Sequence, residues 1–256
     1  MSKDRYLVVV VGALVVLTLV AGVVSGCQSG SAEPAVEQST GGEQTSADEA
    51  VIKAIGAGDA AALSAALEEG GDANVESTPG RPALFLAASR GNEEAARLLI
   101  DHGADIHAET ADGAILVKAA VEGHPKIVEM LLDAGADIES TGKAWSGGDG
   151  SALWAAAQSG HGEVAELLVE RGADVNTTDV GGSTSVLILA AGNDLPELVK
   201  QLLEKGADID HQNENGATAL HGAALNPFRG ISSPGSARVL IEHGAALDIK
   251  DAEGRS

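Results

Sequence analysis

Beyond residue 47 the chain alternates between short apolar blocks and polar stretches punctuated by glycine. Runs such as Gly123–Gly135 (GHPKIVEMLLDAG) and Gly160–Gly172 (GHGEVAELLVERG) place apolar residues at helical spacing and stop at glycine, a helix C-cap signal. Ahead of these runs stand alanine pairs, at Ala87-Ala88, Ala119-Ala120, Ala156-Ala157, Ala190-Ala191 and Ala223-Ala224. The closing glycines are Gly70, Gly103, Gly135, Gly172, Gly206 and Gly244, at intervals of 33, 32, 37, 34 and 38 residues. The predicted unit is a helix, a short loop, a second helix, a glycine stop and an extended polar connection. Ahead of residue 47 the pattern differs: Leu7–Gly26 carries no charge, and Gln28–Ser46 has almost nothing to bury.

A period near 33 with this content resembles the ankyrin repeat. The match is closest from Gly206 through Asp208, Asn213 and Gly216 to Thr218-Ala219-Leu220-His221, followed by Gly222-Ala223-Ala224, with Ala219 where the family has proline. Other repeats depart further at the same place, as in Pro82-Ala83-Leu84-Phe85 and Ser151-Ala152-Leu153-Trp154. The resemblance runs from Ala47 to the end. It implies an all-α ankyrin-repeat solenoid of about six helix-turn-helix repeats with β-hairpin-like fingers. The repeats fall at about 47–77, 78–109, 110–141, 142–177, 178–211 and 212–249, and Asp251–Ser256 starts a further finger.

Each element has a physical role in this reading. The alanine pairs let neighbouring inner helices approach, and Leu98, Leu131, Leu167 and Leu202 fill the layer between outer and inner helices. A single repeat cannot bury its apolar faces, so stacking makes one core. Ser46 and Glu49 form a capping box that opens the first helix. The stack is expected to be weakest at its C-terminal end. Two insertions stand out, around Lys143–Gly148 in a finger and Asn226–Gly235 between two helices, and they carry Trp145 and Phe228. Trp154 takes the slot that histidine holds at His221, so it is expected between repeats.

The N-terminal stretch reads as an export signal. Lys3 and Arg5, with Asp4 between them, precede the 20 uncharged residues of Leu7–Gly26. At about 1.5 Å per residue, a helix of that length crosses a hydrocarbon core of roughly 30 Å. The basic start predicts that everything downstream lies outside the cytoplasm. Val24-Ser25-Gly26-Cys27 resembles the bacterial lipobox. That resemblance implies a lipoprotein signal peptide at 1–26, cleavage before Cys27, and lipid on its thiol. Gln28 then implies the outer membrane if the host is Gram-negative. An uncleaved membrane helix is the alternative. Residues 27–46 are expected to form a disordered tether spanning on the order of 25 Å.

Composition narrows the chemistry. Five aromatic residues (Tyr6, Phe85, Trp145, Trp154, Phe228) against 33 glycines suit a core of many small, closely packed units. A formal net charge of −22 argues against nucleic acid and favours basic protein partners. One cysteine cannot form an internal disulfide or a cysteine zinc site. There is no G-x-S-x-G, H-E-x-x-H or P-loop, and each histidine fits a repeat position: His221 the slot named above, His124 and His161 the interhelix loop, His102 and His243 outer-helix ends, His107 and His211 fingers. No catalytic, metal or cofactor residue is predicted, and no small-molecule substrate.

The ankyrin resemblance implies binding of a partner protein through the finger tips and the exposed side of the inner helices. In the fingers the candidates are Glu76, Thr78, His107, Glu109, Asp112, Lys143, Trp145, Thr178, His211, Gln212 and Glu214. On the inner helices they are Leu86, Arg90, Lys118, Glu122, Gln158, Leu189, Asn193 and Asn226. Trp145 and Arg90 rank first, because binding hot spots favour Trp and Arg. The expected function is a membrane-anchored interaction module outside the cytoplasm that holds or shields a partner at the cell envelope. The alternatives are an enzyme or metal-dependent hydrolase with a site between fingers, or an envelope structural protein without a specific partner.

Overall fold

The computed structural model describes residues 43–143, 149–224 and 234–256. Within them twelve helices form six pairs: α1 (Glu43–Ala57) with α2 (Ala60–Glu68), α3 (Ala83–Arg90) with α4 (Glu93–Asp101), and α5 (Ile115–Glu122) with α6 (Pro125–Asp133). The remaining pairs are α7 (Ala152–Ser159) with α8 (Gly162–Glu170), α9 (Val186–Gly192) with α10 (Pro196–Glu204), and α11 (Ala219–Ala224) with α12 (Pro234–Glu242). Odd-numbered helices are the inner row, each packed on the next. Even-numbered helices form the outer row.

Local chemistry explains where the helices start and stop. The Asp59 carboxylate accepts the Ala62 amide at 3.0 Å at the head of α2, and Asn92 accepts that of Ala95 at 3.0 Å at the head of α4. Ser151 and Ser185 do the same for α7 and α9. Inner helices α3, α5 and α7 end on Gly91, Gly123 and Gly160, all left-handed. After α9 the same position is Asp194, with φ 54°. Aspartate is among the few residues that tolerate this region. Its Oδ1 accepts the Ser236 amide at 3.1 Å, so a residue of the fifth repeat caps the outer helix of the sixth.

The core follows the alanine pairs: both members are fully buried in the second to fifth repeats. Leu131 and Leu202 fill the layer between the rows, as expected. In two repeats the expectation is off by one. Leu99 and Leu168 are fully buried, while Leu98 and Leu167 are only partly so. The layer position lies four residues before each closing glycine, and the Leu-Leu doublets hide that register. The first helix also differs from the capping-box reading. α1 begins at Glu43, a turn before Ser46, within the stretch assigned to the tether. Within α1, the Asp48 carboxylate accepts the Asp72 amide at 2.8 Å and fixes the turn after α2.

The fingers are short hairpins. β1 (Glu76–Thr78) pairs with β2 (Arg81–Pro82). The next two hairpins join in one antiparallel sheet, β3 (Glu109–Thr110), β4 (Gly113–Ala114), β5 (Thr141–Lys143) and β6 (Asp149–Ser151). Gly113 pairs with Gly142 across the two fingers, and a Cβ on Gly113 would stand 2.2 Å from the Gly142 Cα. Only glycine permits that approach. Bridges from Gly150 to Asp179 and from Thr178 to Ser185 carry the ribbon into the fifth finger.

Two residues of the same slot bind neighbouring repeats alike. The Trp154 indole, 2% exposed, donates Nε1–H to the Thr184 carbonyl at 2.8 Å. His221 Nδ1 accepts the Thr218 amide at 3.2 Å, so its proton sits on Nε2, which donates to the Arg255 carbonyl at 2.9 Å. Thr184 and Arg255 occupy equivalent places, each closing a turn opened by an aspartate (Asp179, Asp251). The C-terminal residues thus form a folded finger turn docked on the sixth finger, where the Ala252 amide also donates to the Asn215 carbonyl at 2.8 Å.

Candidate functional site

The inner helices and fingers bound a groove, and the candidate contact residues fall into three groups. Glu76, Thr78, His107, Glu109, Lys143, Glu214 and Arg90 are exposed along the fingers and the inner row. Others already work within the fold. Asp112 pairs with Arg81 at 2.9 Å, and the Thr178 hydroxyl donates to the Asp179 carbonyl at 3.0 Å. His211 Nε2 lies 3.3 Å from the Ser183 carbonyl, Gln212 donates to the Gly216 carbonyl at 2.7 Å, and Asn193 donates to the carbonyls of Ala157 and Gln158 at the end of α7. Leu86, Gln158 and Leu189 are half-buried. Cys27, Trp145 and Asn226 lie outside the described residues.

Around Phe85 the groove wall is more structured than the sequence suggested. Phe85 is 3% exposed, with the Arg81 guanidinium 5.5 Å and the Lys118 ammonium 5.8 Å from its ring centroid. Lys118 also pairs with Glu122 at 2.7 Å. In the sequence the position of Phe85 reads simply as core; the flanking cations come from an adjacent finger and an adjacent helix.

The interhelix histidines pack between repeats. A Cβ on Gly91 would fall 2.4 Å from the His124 ring, and one on Gly123 would fall 2.5 Å from that of His161. His161 Nε2 lies 3.0 Å from the Val121 carbonyl. His102 and His243 set Nδ1 2.8 Å from the carbonyls of Leu98 and Val239, at the ends of their outer helices. Among the described residues no group of three or more His, Cys, Asp or Glu side chains is placed to hold a metal ion.

Charge is unevenly distributed. Acids outnumber bases on each of the outer helices α4, α6, α8 and α10. On α8 partial burial, with Glu197, Glu170 and Glu163 nearby, holds the Glu166 carboxyl above the usual carboxylate range. Arg171 offsets part of this excess by pairing with Glu129 and Asp133 of the preceding repeat, at 2.8 and 2.7 Å. The inner helices α7, α9 and α11 carry no charged residue apart from the titratable His221.

Stacked helix pairs, a groove lined by the inner row and an edge of projecting hairpins define a helical-repeat scaffold for binding other proteins. The chain belongs to the ankyrin repeat family: the family model for three copies of the repeat matches residues 50–142 and 187–256, and the single-repeat model matches residues 150–180. Among solved structures, the human ASB11 ankyrin repeat domain is 27% identical with a TM-score of 0.67, over 80% of this chain and 88% of that one. The ankyrin repeat domain of Bcl-3, a unique member of the IkappaB protein family, is 25% identical with a TM-score of 0.64, over 81% of this chain and 91% of that one. No curated protein matches the chain. Ankyrin repeats make it a protein–protein interaction module, and proteins of this family are typically scaffolds rather than enzymes.

Proposed function

We propose that the chain is a lipid-anchored ankyrin module that holds or shields a partner protein at the cell envelope, outside the cytoplasm. One observation carries the reading, the order of segments. A basic start, the uncharged Leu7–Gly26, the lipobox-like Val24-Ser25-Gly26-Cys27 and a polar tether precede a stack of interaction repeats. Several acyl chains on Cys27 give firm attachment where one would not. Gln28 directs the product to the outer membrane in a Gram-negative host. The acid-rich outer helices add long-range attraction for a partner of net positive charge.

The anchor is tested by growing cells with labelled fatty acid. The full chain takes up label and floats with membranes, and Cys27→Ser loses both. Labelling and processing unchanged by Cys27→Ser would sink the lipoprotein reading. The module is tested by photo-crosslinking in the cell, from a reactive residue at Thr78 or at Glu129 of the outer row. The expected result is a partner captured from Thr78 only, and Trp145→Ala weakens that capture. Equal capture from both positions refutes the assignment of the groove.

A further inference from the structure

The cations facing the groove are confined to one part of it, whereas exposed finger carboxylates stand in both halves, Glu76 and Glu109 in the first. Among the described residues, the Lys and Arg residues on inner helices or fingers before the last finger are Lys53, Arg81, Arg90, Lys118 and Lys143, all in the first half of the repeat stack, while Lys250 and Arg255 belong to the last finger. From Asp149 to Ala224 the inner helices and fingers hold none, while the fingers there carry Asp149, Asp179 and Glu214. Most of the first-half cations are already compensated. Arg81 is tied to Asp112 and Lys118 to Glu122, and Lys53 shares a cleft with Glu49 and Glu76. Arg90 and Lys143 are different: both are exposed, with no ion pair among the described residues. Of the two, Arg90 lies on an inner helix and rests its guanidinium beside Gly56 of the first repeat, where an added Cβ would be 3.7 Å away. Past Lys143, α7 and α9 present the half-buried Gln158 and Leu189, a lane without charge.

We propose that the groove holds an extended segment of the partner protein whose own charges are segregated, with carboxylates over Arg90 and Lys or Arg side chains over the fingers of the fourth to sixth repeats. The inference rests on the groove being the partner site. Arg90 toward one end and the finger carboxylates of the cation-free stretch toward the other attract opposite ends of the segment, and reversal would set like against like, so the arrangement fixes direction as well as affinity. A lone charge midway would lose hydration without gaining a counter-charge, so the middle of the segment is uncharged. Neighbouring inner helices stand about 8–10 Å apart, so six of them span about 45 Å. An extended chain of about 14 residues covers that length.

The test uses three synthetic peptides of equal length and the full chain in detergent micelles, with binding read by fluorescence anisotropy. One peptide has an acidic third, an uncharged third and a basic third; the second has the same composition with charges alternating; the third carries lysine only. The segregated peptide is expected to bind about tenfold tighter than the alternating one, a difference large enough to read against scatter. Arg90→Glu, at an exposed position, and Glu214→Lys, on an exposed finger, should each erase most of that preference. Equal affinity for the first two peptides, tightest binding of the lysine peptide, or a preference untouched by both reversals overturns the proposal. Partner capture from Thr78 that ignores both reversals removes the segregated segment and leaves the docking groove standing. Absence of capture from any groove position removes both.

Discussion

Trp154 and Gly150 offer a direct test of how one repeat is fastened to the next. The indole is 2% exposed and donates to the Thr184 carbonyl of the following finger at 2.8 Å. Gly150 backs the ring so closely that a Cβ there would lie 2.6 Å from it. Trp154→Ala removes a buried aromatic and should cost ~3–5 kcal/mol. Trp154→His keeps a ring N–H, as His221 does in the sixth repeat, and should retain about 1 kcal/mol that the alanine variant loses. Gly150→Ala should cost about 1–3 kcal/mol, because the methyl has nowhere to go while the indole is present. In the Trp154→Ala background that methyl enters space already vacated, so most of its cost should vanish, leaving a coupling of about 1–2 kcal/mol. Urea unfolding followed by far-UV circular dichroism measures all four variants, and unchanged slopes support reading the midpoints as stability. A Gly150→Ala penalty that persists without the indole refutes the packing argument. So does a loss below about 1 kcal/mol in Trp154→Ala.

Other positions make separate predictions. Asp194→Ala should destabilise by about 1–2 kcal/mol, through a strained left-handed residue and a lost cap on α12, whereas Asp194→Gly keeps the backbone comfortable and should cost less in thermal unfolding. Gly113→Ala should cost well over the roughly 1 kcal/mol expected for Gly103→Ala, since both are left-handed but only Gly113 meets another backbone; equal losses would contradict the close finger approach. The Arg255 amide, then the Arg255 guanidinium and the Glu253 amide, hold the Asp251 carboxyl below the usual range. Its stabilising effect is therefore present above the unfolded-state pKa and lost as pH falls through the lower folded value, which Asp251→Asn and an NMR titration of the Arg255 amide should reveal. Glu166 behaves oppositely. Its raised folded pKa means that ionisation costs stability as pH rises, so Glu166→Gln should stabilise at pH 7 and change little in strong acid, as read by melting temperature.

The repeat frame was legible in the sequence because its markers answer backbone demands: left-handed glycines, alanines at close helix contacts, cap residues at helix starts. Where two residues satisfy the same demand, the sequence does not choose between them. Leu98 and Leu99 are equally apolar, and only the distance to Gly103 tells which one enters the core. The start of α1 was hidden because Glu43-Gln44-Thr45 contains no apolar residue to announce a helix. The docked turn at Asp251–Arg255 depends on a partner carbonyl and on His221, contacts that no linear pattern states. For the candidate site, the chain supplied the sign of the net charge. It could not show that the acids gather on the outer row while the groove keeps Arg90 open, because that follows from which face of each helix is turned outward.

The hydrogen-bonded ribbon from β3 to the fifth finger has a consequence for how affinity is distributed. Fingers joined through Gly113–Gly142 and Gly150–Asp179 share backbone bonds, so their paired strands are held in place before any partner arrives. A contact made there gives up little conformational entropy. The hairpin of β1 and β2 lies outside that ribbon and is joined to the next finger by the exposed Arg81–Asp112 pair, which salt weakens. A partner that grips the first hairpin must still its motion, and one that grips the ribbon meets a surface already set. The same number of contacts is therefore worth more toward the middle of the edge than at its beginning. That difference should widen as ionic strength rises.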